Sequence, residues 1–166
     1  IEARVGKPVP YTGSFARETG NLLEALQSVP LGVPHSGALS SPFGDRANPF
    51  SGRGSESHGG LDFKGAHGEP VRATAAGRVV WAGWQGGYGN LVEVAHAKGY
   101  NTLYAHLSRV EVTKGQQLAA GDAVGLLGST GRSTGPHLHY EVQRRGERLD
   151  PEHFLAPSDT DASAPR

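Results

Sequence analysis

The sequence predicts a small, mostly β domain of antiparallel strands, entered through a short N-terminal helix. Three observations predict it. Glycine fills 25 of 166 positions, about twice the usual share of roughly 7%, and these glycines punctuate short β-branched runs. Several of the runs alternate apolar and polar residues, as half-buried antiparallel strands do. Beyond Ser41 no long helical pattern interrupts them, which leaves an all-β or nearly all-β domain.

Residues 1–40 read as a lead-in. Within it, Leu22, Leu23, Leu26 and Val29 recur at helical spacing and predict a helix over Glu18–Val29, ended by Pro30. Such a helix packs on the core or on a segment further upstream. Residues 30–40, rich in Pro, Gly and Ser, read as a linker. The texture changes at Ser41-Pro42-Phe43-Gly44-Asp45-Arg46, which leads into a polar, glycine-rich loop ending at Ser57. Strands are then expected at 61–63, 71–75, 78–84, 90–95, 101–107, 117–118, 123–127 and 137–143. Turn signals separate them at Gly86-Gly87, Lys98-Gly99, Ala120-Gly121-Asp122 and Gly128 to Gly135. The domain therefore spans 41–155. Residues 156–166 lack aromatic and large aliphatic side chains and are expected to form a disordered tail.

Composition excludes several classes. Net charge is +0 with pI ≈ 7.3, so no basic field exists to hold nucleic acid or an anionic membrane surface. There are no cysteines, which removes a disulfide framework and any thiolate metal site. Zinc would have only nitrogen and oxygen ligands, the pattern of catalytic more than structural sites. No apolar run reaches the roughly 18–20 residues of a membrane span. The chain opens at Ile1 rather than Met and is expected to be a fragment or a processed product.

The chemistry concentrates in three motifs: Ser57-His58-Gly59-Gly60-Leu61-Asp62, Leu103-Tyr104-Ala105-His106-Leu107 and Gly135-Pro136-His137-Leu138-His139-Tyr140-Glu141. On a strand, His137, His139 and Glu141 share one face while Leu138, Tyr140 and Val142 share the other. His58 and Asp62 are four apart across two glycines, which oppose a helix interior and favour a loop running into a strand. Strict alternation places Thr102, Tyr104 and His106 on one face, looking away from core residues Leu103, Ala105 and Leu107. His58, Asp62 and one of His137 and His139 could hold zinc by three points, leaving a position for water. Zinc brings the pKa of a bound water from about 15.7 to roughly 7. Two further histidines could then orient that water, take its proton and steady the oxyanion.

These motifs, together with Gly-Glu-Pro-Val-Arg-Ala-Thr-Ala-Ala-Gly-Arg-Val-Val from Gly68, Tyr-Gly-Asn-Leu-Val-Glu-Val-Ala-His from Tyr88 and Gly-Ser-Thr-Gly-Arg-Ser-Thr-Gly from Gly128, resemble the catalytic domain of lysostaphin/LytM-type zinc metallopeptidases. That family cuts peptide crosslinks in bacterial cell-wall peptidoglycan. The resemblance covers about Ser41 to Leu155 and matches in order and spacing. It implies one zinc ion held by His58, Asp62 and His139, with His106 and His137 as the two catalytic histidines that are not ligands. It further implies a small antiparallel sheet whose groove holds the zinc, walled by Asn48–Ser57, Gln85–Asn90 and Gly128–Pro136. Arg46, Asn48, Tyr88 and Tyr104 are candidates to touch a peptide stem.

The other histidines, His35, His67, His96 and His153, match no site position and are expected to be structural or superficial. Glu141 matches no ligand position and is expected to support the site from behind or to be structural. The Phe43-Gly44-Asp45-Arg46 opening resembles the envelope branch that cuts D-Ala–diaminopimelate crosslinks, with glycyl-glycine cleavage the runner-up. The implied partners are peptidoglycan stem or crossbridge peptides, in a periplasmic or secreted setting, with a regulatory upstream domain as a further expectation. The family also holds non-catalytic members that activate an amidase and have usually lost zinc ligands; here all five positions carry functional residue types.

Overall fold

The computed structural model describes residues 19–155 apart from 21, 24, 25, 48, 52 and 53. Thirteen strands are described. Three precede the first turn of the motif region: β1 (Leu39–Ser41), β2 (Gly44–Ala47) and β3 (Ser55–His58). Then follow β4 (Leu61–Lys64), β5 (Pro70–Arg72), β6 (Gly77–Trp84), β7 (Asn90–Ala95), β8 (Tyr100–Leu107) and β9 (Arg109–Val110). The last are β10 (Gln117–Leu118), β11 (Ala123–Leu126), β12 (His137–Arg144) and β13 (Glu147–Leu149), with short 3-10 turns between strands and at Pro151–Phe154.

All strand pairing is antiparallel. The main sheet runs β1-β4-β12-β8-β7-β6-β10, with β13 added to β12. Strands β5, β11 and β9 form a smaller sheet, and β2 and β3 a hairpin. The mostly β expectation holds, and the expected strand at 90–95 is reproduced without change.

One face of the main sheet buries the larger core, including Leu61, Phe63, Val79, Val92, Val94, Tyr104, Leu138, Tyr140 and Val142. Alternation along β12 follows: Leu138, Tyr140 and Val142 point into this core, and His139 and Glu141 to the opposite face. A satellite cluster of Leu91, Leu103 and Ala105, with Tyr88 against it, lies on that opposite face. Tyr104 and Tyr140 bring hydroxyls into the core, where Thr74 and Thr102 satisfy them. His96 closes this buried chain by bonding Thr102 Oγ1 and the Ala76 carbonyl; burial pushes its pKa down.

Alternation fails on β8, and the expected face of three residues is corrected. Tyr104 and Thr102 are buried on the core side rather than facing a cleft, so Tyr104 is not a groove residue. Leu103 and Ala105 take the groove side instead. His106 crosses to that side because one residue of β7, Leu91, opposes two of β8, Ala105 and His106: Asn90 pairs Leu107 while Val92 pairs Tyr104. This bulge puts His106 at φ 60, an unfavourable region for a non-glycine residue. A bulge of this kind re-aims a side chain beside a site. The Leu107 carbonyl freed there accepts from Thr130 Oγ1 at 2.7 Å and Asn90 Nδ2 at 3.0 Å.

Residues 30–40, expected to be a linker, lie along the sheet instead. Gly32 N–H donates to the Thr74 carbonyl, Arg72 N–H to that of Pro34, and Lys64 N–H to that of Ala38. His35 is buried, with Nε2 3.1 Å from Glu69 Oε2. Helical backbone occurs at 19–20, 22–23 and 26–28, and Leu22, Leu23 and Leu26 are exposed rather than packed on this core. The expected tail at 156–166 lies outside the described residues. No helix of the described residues is long and apolar enough to cross a membrane.

Candidate active site

Three strands and a turn assemble the three metal-ligand candidates. His58 ends β3, Asp62 sits on β4, and His139 sits on β12 with its Cα paired to that of Asp62. Gly59-Gly60 carries the chain between the first two. A Cβ at Gly60 would collide with the Tyr140 carbonyl, so only glycine lets β4 approach β12 this closely. His58 Nε2 lies 3.1 Å from Asp62 Oδ1 and 3.2 Å from His139 Nδ1, and His139 Nδ1 lies 3.0 Å from Asp62 Oδ1. Donors bound tetrahedrally at about 2.0–2.1 Å stand roughly 3.4 Å apart. The triangle is thus nearly the size a zinc ion requires, and His₂Asp is a nitrogen and oxygen set suited to it.

Hydrogen bonds behind the imidazoles fix which nitrogen faces this triangle. His58 Nδ1 donates to the Pro42 carbonyl at 2.7 Å, leaving the Nε2 lone pair free. His139 Nε2 donates to Glu141 Oε1 at 2.9 Å, leaving Nδ1. Outer partners of this kind orient metal-binding histidines. Glu141 is itself anchored by Tyr88 Oη at 2.8 Å, Gln143 Nε2 at 2.9 Å and Arg148 Nε at 3.4 Å.

Burial alone would raise the Glu141 carboxyl, but its bonds with His139, Tyr88 and Gln143 outweigh that and bring it down to about 2. Asp62 follows the same logic: burial raises it, yet His139 and His58 hold it far below the usual carboxylate range. Burial would lower His139, and Asp62 and Glu141 reverse that into a net rise.

The two other motif histidines stand over the triangle. His106 and His137 have ring centroids 4.7 Å apart, and His106 lies 5.9 Å from His139. His137 Nε2 is 3.8 Å from Asp62 Oδ1. Both tautomers are set by one loop, 128–136. His106 Nδ1 donates to the Thr130 carbonyl at 2.7 Å and His137 Nδ1 to that of Gly135 at 2.8 Å. Each therefore turns Nε2 as an acceptor toward the groove. Burial pushes His106 down to about 4, against the Thr130 bond that raises it.

That shift predicts a pH effect on stability. Between about pH 6.5 and 4 the unfolded chain binds a proton at His106 that the folded chain refuses, so stability falls as pH falls through this window. Urea unfolding of chelator-treated protein at about pH 7 and about pH 4.5 checks it. The wild type should lose up to about 3 kcal/mol more than His106→Gln over that interval; equal losses would contradict the shift.

The groove has a volume of ≈ 580 Å³ and is lined by Pro49, Phe50, Glu56, Tyr88, Arg132 and Pro136 among others. All three expected wall segments contribute to it. Two of them are one wall: Arg132 N–H donates to the Gly87 carbonyl and Asn90 N–H to Thr130 Oγ1. Of the candidate stem contacts, Tyr88 lines the groove, Asn48 lies outside the described residues and nothing is described of the Arg46 side chain. His67 and His153 are exposed and His35 and His96 are tied into the fold, all four away from the groove. The supporting carbonyls of Pro42, Thr130 and Gly135 carried no signal in the sequence, because any residue supplies a carbonyl. Glu141 did carry one, its shared face with His139.

The model of peptidase family M23 matches residues 56–151, more than half of the chain. The chain belongs to peptidase family M23. It is 45% identical over 120 residues to the DD-carboxypeptidase/endopeptidase Mpg of Neisseria meningitidis, covering 72% of this chain and 27% of that protein. It is 32% identical over 164 residues to the murein hydrolase activator EnvC of Escherichia coli, covering 93% of this chain and 39% of that one. The crystal structure of a zinc containing peptidase from Vibrio cholerae superposes with a TM-score of 0.66 at 36% identity, over 72% of this chain and 38% of that one. The M23 chain described here thus spans well under half the length of each. As an M23 domain, its His58, Asp62 and His139 make up the zinc site typical of the family.

Proposed function

We propose that this M23 domain is a zinc-dependent endopeptidase that hydrolyses peptide crosslinks in bacterial cell-wall peptidoglycan, with D,D-endopeptidase cleavage favoured over glycyl-glycine cleavage. The observation that carries the reading is the convergence of His58 Nε2, Asp62 Oδ1 and His139 Nδ1 under two histidines with fixed tautomers. Bound by those three atoms, zinc would supply Lewis-acid activation of water and of the scissile carbonyl.

The chain's own groups do the remaining work. His106 and His137 present Nε2 lone pairs to the groove, so either can accept the proton of the attacking water and later return it to the leaving amine. A histidine that has become an imidazolium can donate instead to the oxyanion. Burial keeps His106 neutral at neutral pH, as an acceptor must be. Tyr88, anchored by Glu141 and Arg148, forms part of the groove wall beside His139. The D,D choice is supported by the likeness to Mpg, and the cell envelope is the setting that substrate demands.

The match to EnvC over most of the chain favours a second reading, a domain that binds a partner and does no chemistry. The intact donor set weighs against it. Mass spectrometry of crosslinked muropeptides incubated with the protein, with and without a chelator, decides. The expected result is conversion of dimers to monomers that stops on chelation and returns with zinc. Dimers left intact by zinc-loaded protein would favour the second reading.

A further inference from the structure

The face of the main sheet that carries His139 and Glu141 continues past the groove wall. Four residues in register cross it: Glu141 pairs Leu103, Leu103 pairs Glu93, and Glu93 pairs Trp81. Ala82 packs against the larger core, so its neighbour Trp81 points to the other side, the side of Leu103 and the groove. Trp81 is 39% exposed, and its indole N–H donates to the Gly83 carbonyl at 3.2 Å. With that donor used, the indole offers a ligand a flat apolar surface.

Its polar neighbours offer acceptors. Asn101 donates from Nδ2 to Glu93 Oε1 at 2.8 Å. Gln143, whose Cα pairs with that of Asn101, donates from Nε2 to Glu141 Oε2 at 2.9 Å. Glu93 Oε2, Asn101 Oδ1 and Gln143 Oε1 have no hydrogen-bond partner among the described residues. Acceptor oxygens beside two carboxylates repel phosphate and carboxylate groups and suit a neutral ligand rich in hydroxyl and amide N–H donors. A single indole among polar side chains fits one amphipathic ring better than a protein partner, which covers about 800 Å² on each side. A pyranose has that character, with C–H groups on its faces and hydroxyls around its edge.

The spacing suits such an occupant. Three strand spacings of about 4.8 Å, roughly 14 Å in all, separate Glu141 from Trp81. About four extended residues span that length, which is the reach of a stem peptide between its sugar and its crosslink. We propose that Trp81 stacks on an N-acetylated amino sugar of the glycan strand, whose hydroxyl and acetamido groups donate to Glu93, Asn101 and Gln143, so that the domain prefers crosslinks still attached to glycan over free crosslinked peptides. This rests on the peptidoglycan reading above and adds the sugar to what the domain recognises, on a surface apart from the zinc donors.

The test uses two crosslinked dimers with the same peptides, one carrying its disaccharides and the other stripped of them. The wild type should show a kcat/KM roughly 3- to 10-fold higher for the first, the range of one aromatic contact. Trp81→Leu should erase that preference by raising KM for the sugar-bearing dimer alone, with kcat, zinc content and thermal midpoint retained. Trp81→Tyr, which restores a flat ring, should recover most of it. Trp84→Leu should keep the full preference, because Trp84, also exposed, shares the face of Ala82 by alternation.

Equal turnover of the two dimers by the wild type overturns the proposal and leaves the peptidoglycan reading standing. So does a Trp81→Leu protein that keeps the preference, or one that slows both dimers equally, as a merely structural tryptophan would. Cleavage of neither dimer by the zinc-loaded wild type overturns the peptidoglycan reading and this one with it.

Discussion

His139→Ala is expected to lose zinc and hydrolysis together. His139 contributes one corner of a triangle whose sides are 3.0 to 3.2 Å, and two donors cannot enclose a zinc ion as three do. The loss should exceed the roughly 10–100-fold drop in affinity that follows loss of an outer partner alone. A second consequence is structural. Glu141 is 2% exposed, and its Oε1 would keep only the Tyr88 hydroxyl. A buried carboxylate that loses a hydrogen-bond donor costs about 1–3 kcal/mol or more, so the thermal midpoint should fall as well. Elemental analysis of the purified variant reads the metal, and dimer-to-monomer conversion of muropeptides reads the activity. A variant that retains stoichiometric zinc would remove His139 from the ligand set.

His106→Ala should behave differently, keeping zinc while turnover slows by roughly 10²–10⁴-fold, as for loss of an acid–base group. Its ring centroid lies 5.9 Å from that of His139, and its Nδ1 is committed to the Thr130 carbonyl. The substitution leaves the bulge and its φ of 60 in place; alanine tolerates that region no better than histidine does. His106→Gly separates the two contributions, since glycine relaxes the backbone while still removing the imidazole. Both variants should be comparably slow. Wild-type turnover in either would mean that His106 only fills the wall.

The strands and most of the site were legible because they follow period-two patterning. Leu138, Tyr140 and Val142 against His139 and Glu141 is one such pattern, and it placed two site residues on the correct face. The resemblance singled out His139 over His137, a choice spacing alone left open; the geometry puts His139 Nδ1 3.0 Å from Asp62 Oδ1 and His137 Nε2 3.8 Å from it. The same rule misplaced Tyr104 and gave the wrong reason for His106. A bulge inserts one residue without leaving a mark in the sequence, and alternation counted through it inverts. The packed course of 30–40 was illegible for another reason: its Pro and Gly content is that of a linker, while its order comes from backbone bonds to Thr74, Arg72 and Lys64. Strand β13 follows an Arg145-Gly146 turn with both φ values positive, a two-residue hairpin whose charged strand offered no apolar signal.

The loop at 128–136 couples properties that protein engineers would like to vary one at a time. It presents Arg132 to the opposite wall, and its carbonyls at Thr130 and Gly135 also determine where the imidazole protons of His106 and His137 reside. A chimera that borrows this segment from another M23 domain would replace the carbonyls that orient His106 and His137 along with this part of the groove wall. A point change at position 132 leaves those two carbonyls where they are; wholesale grafting does not.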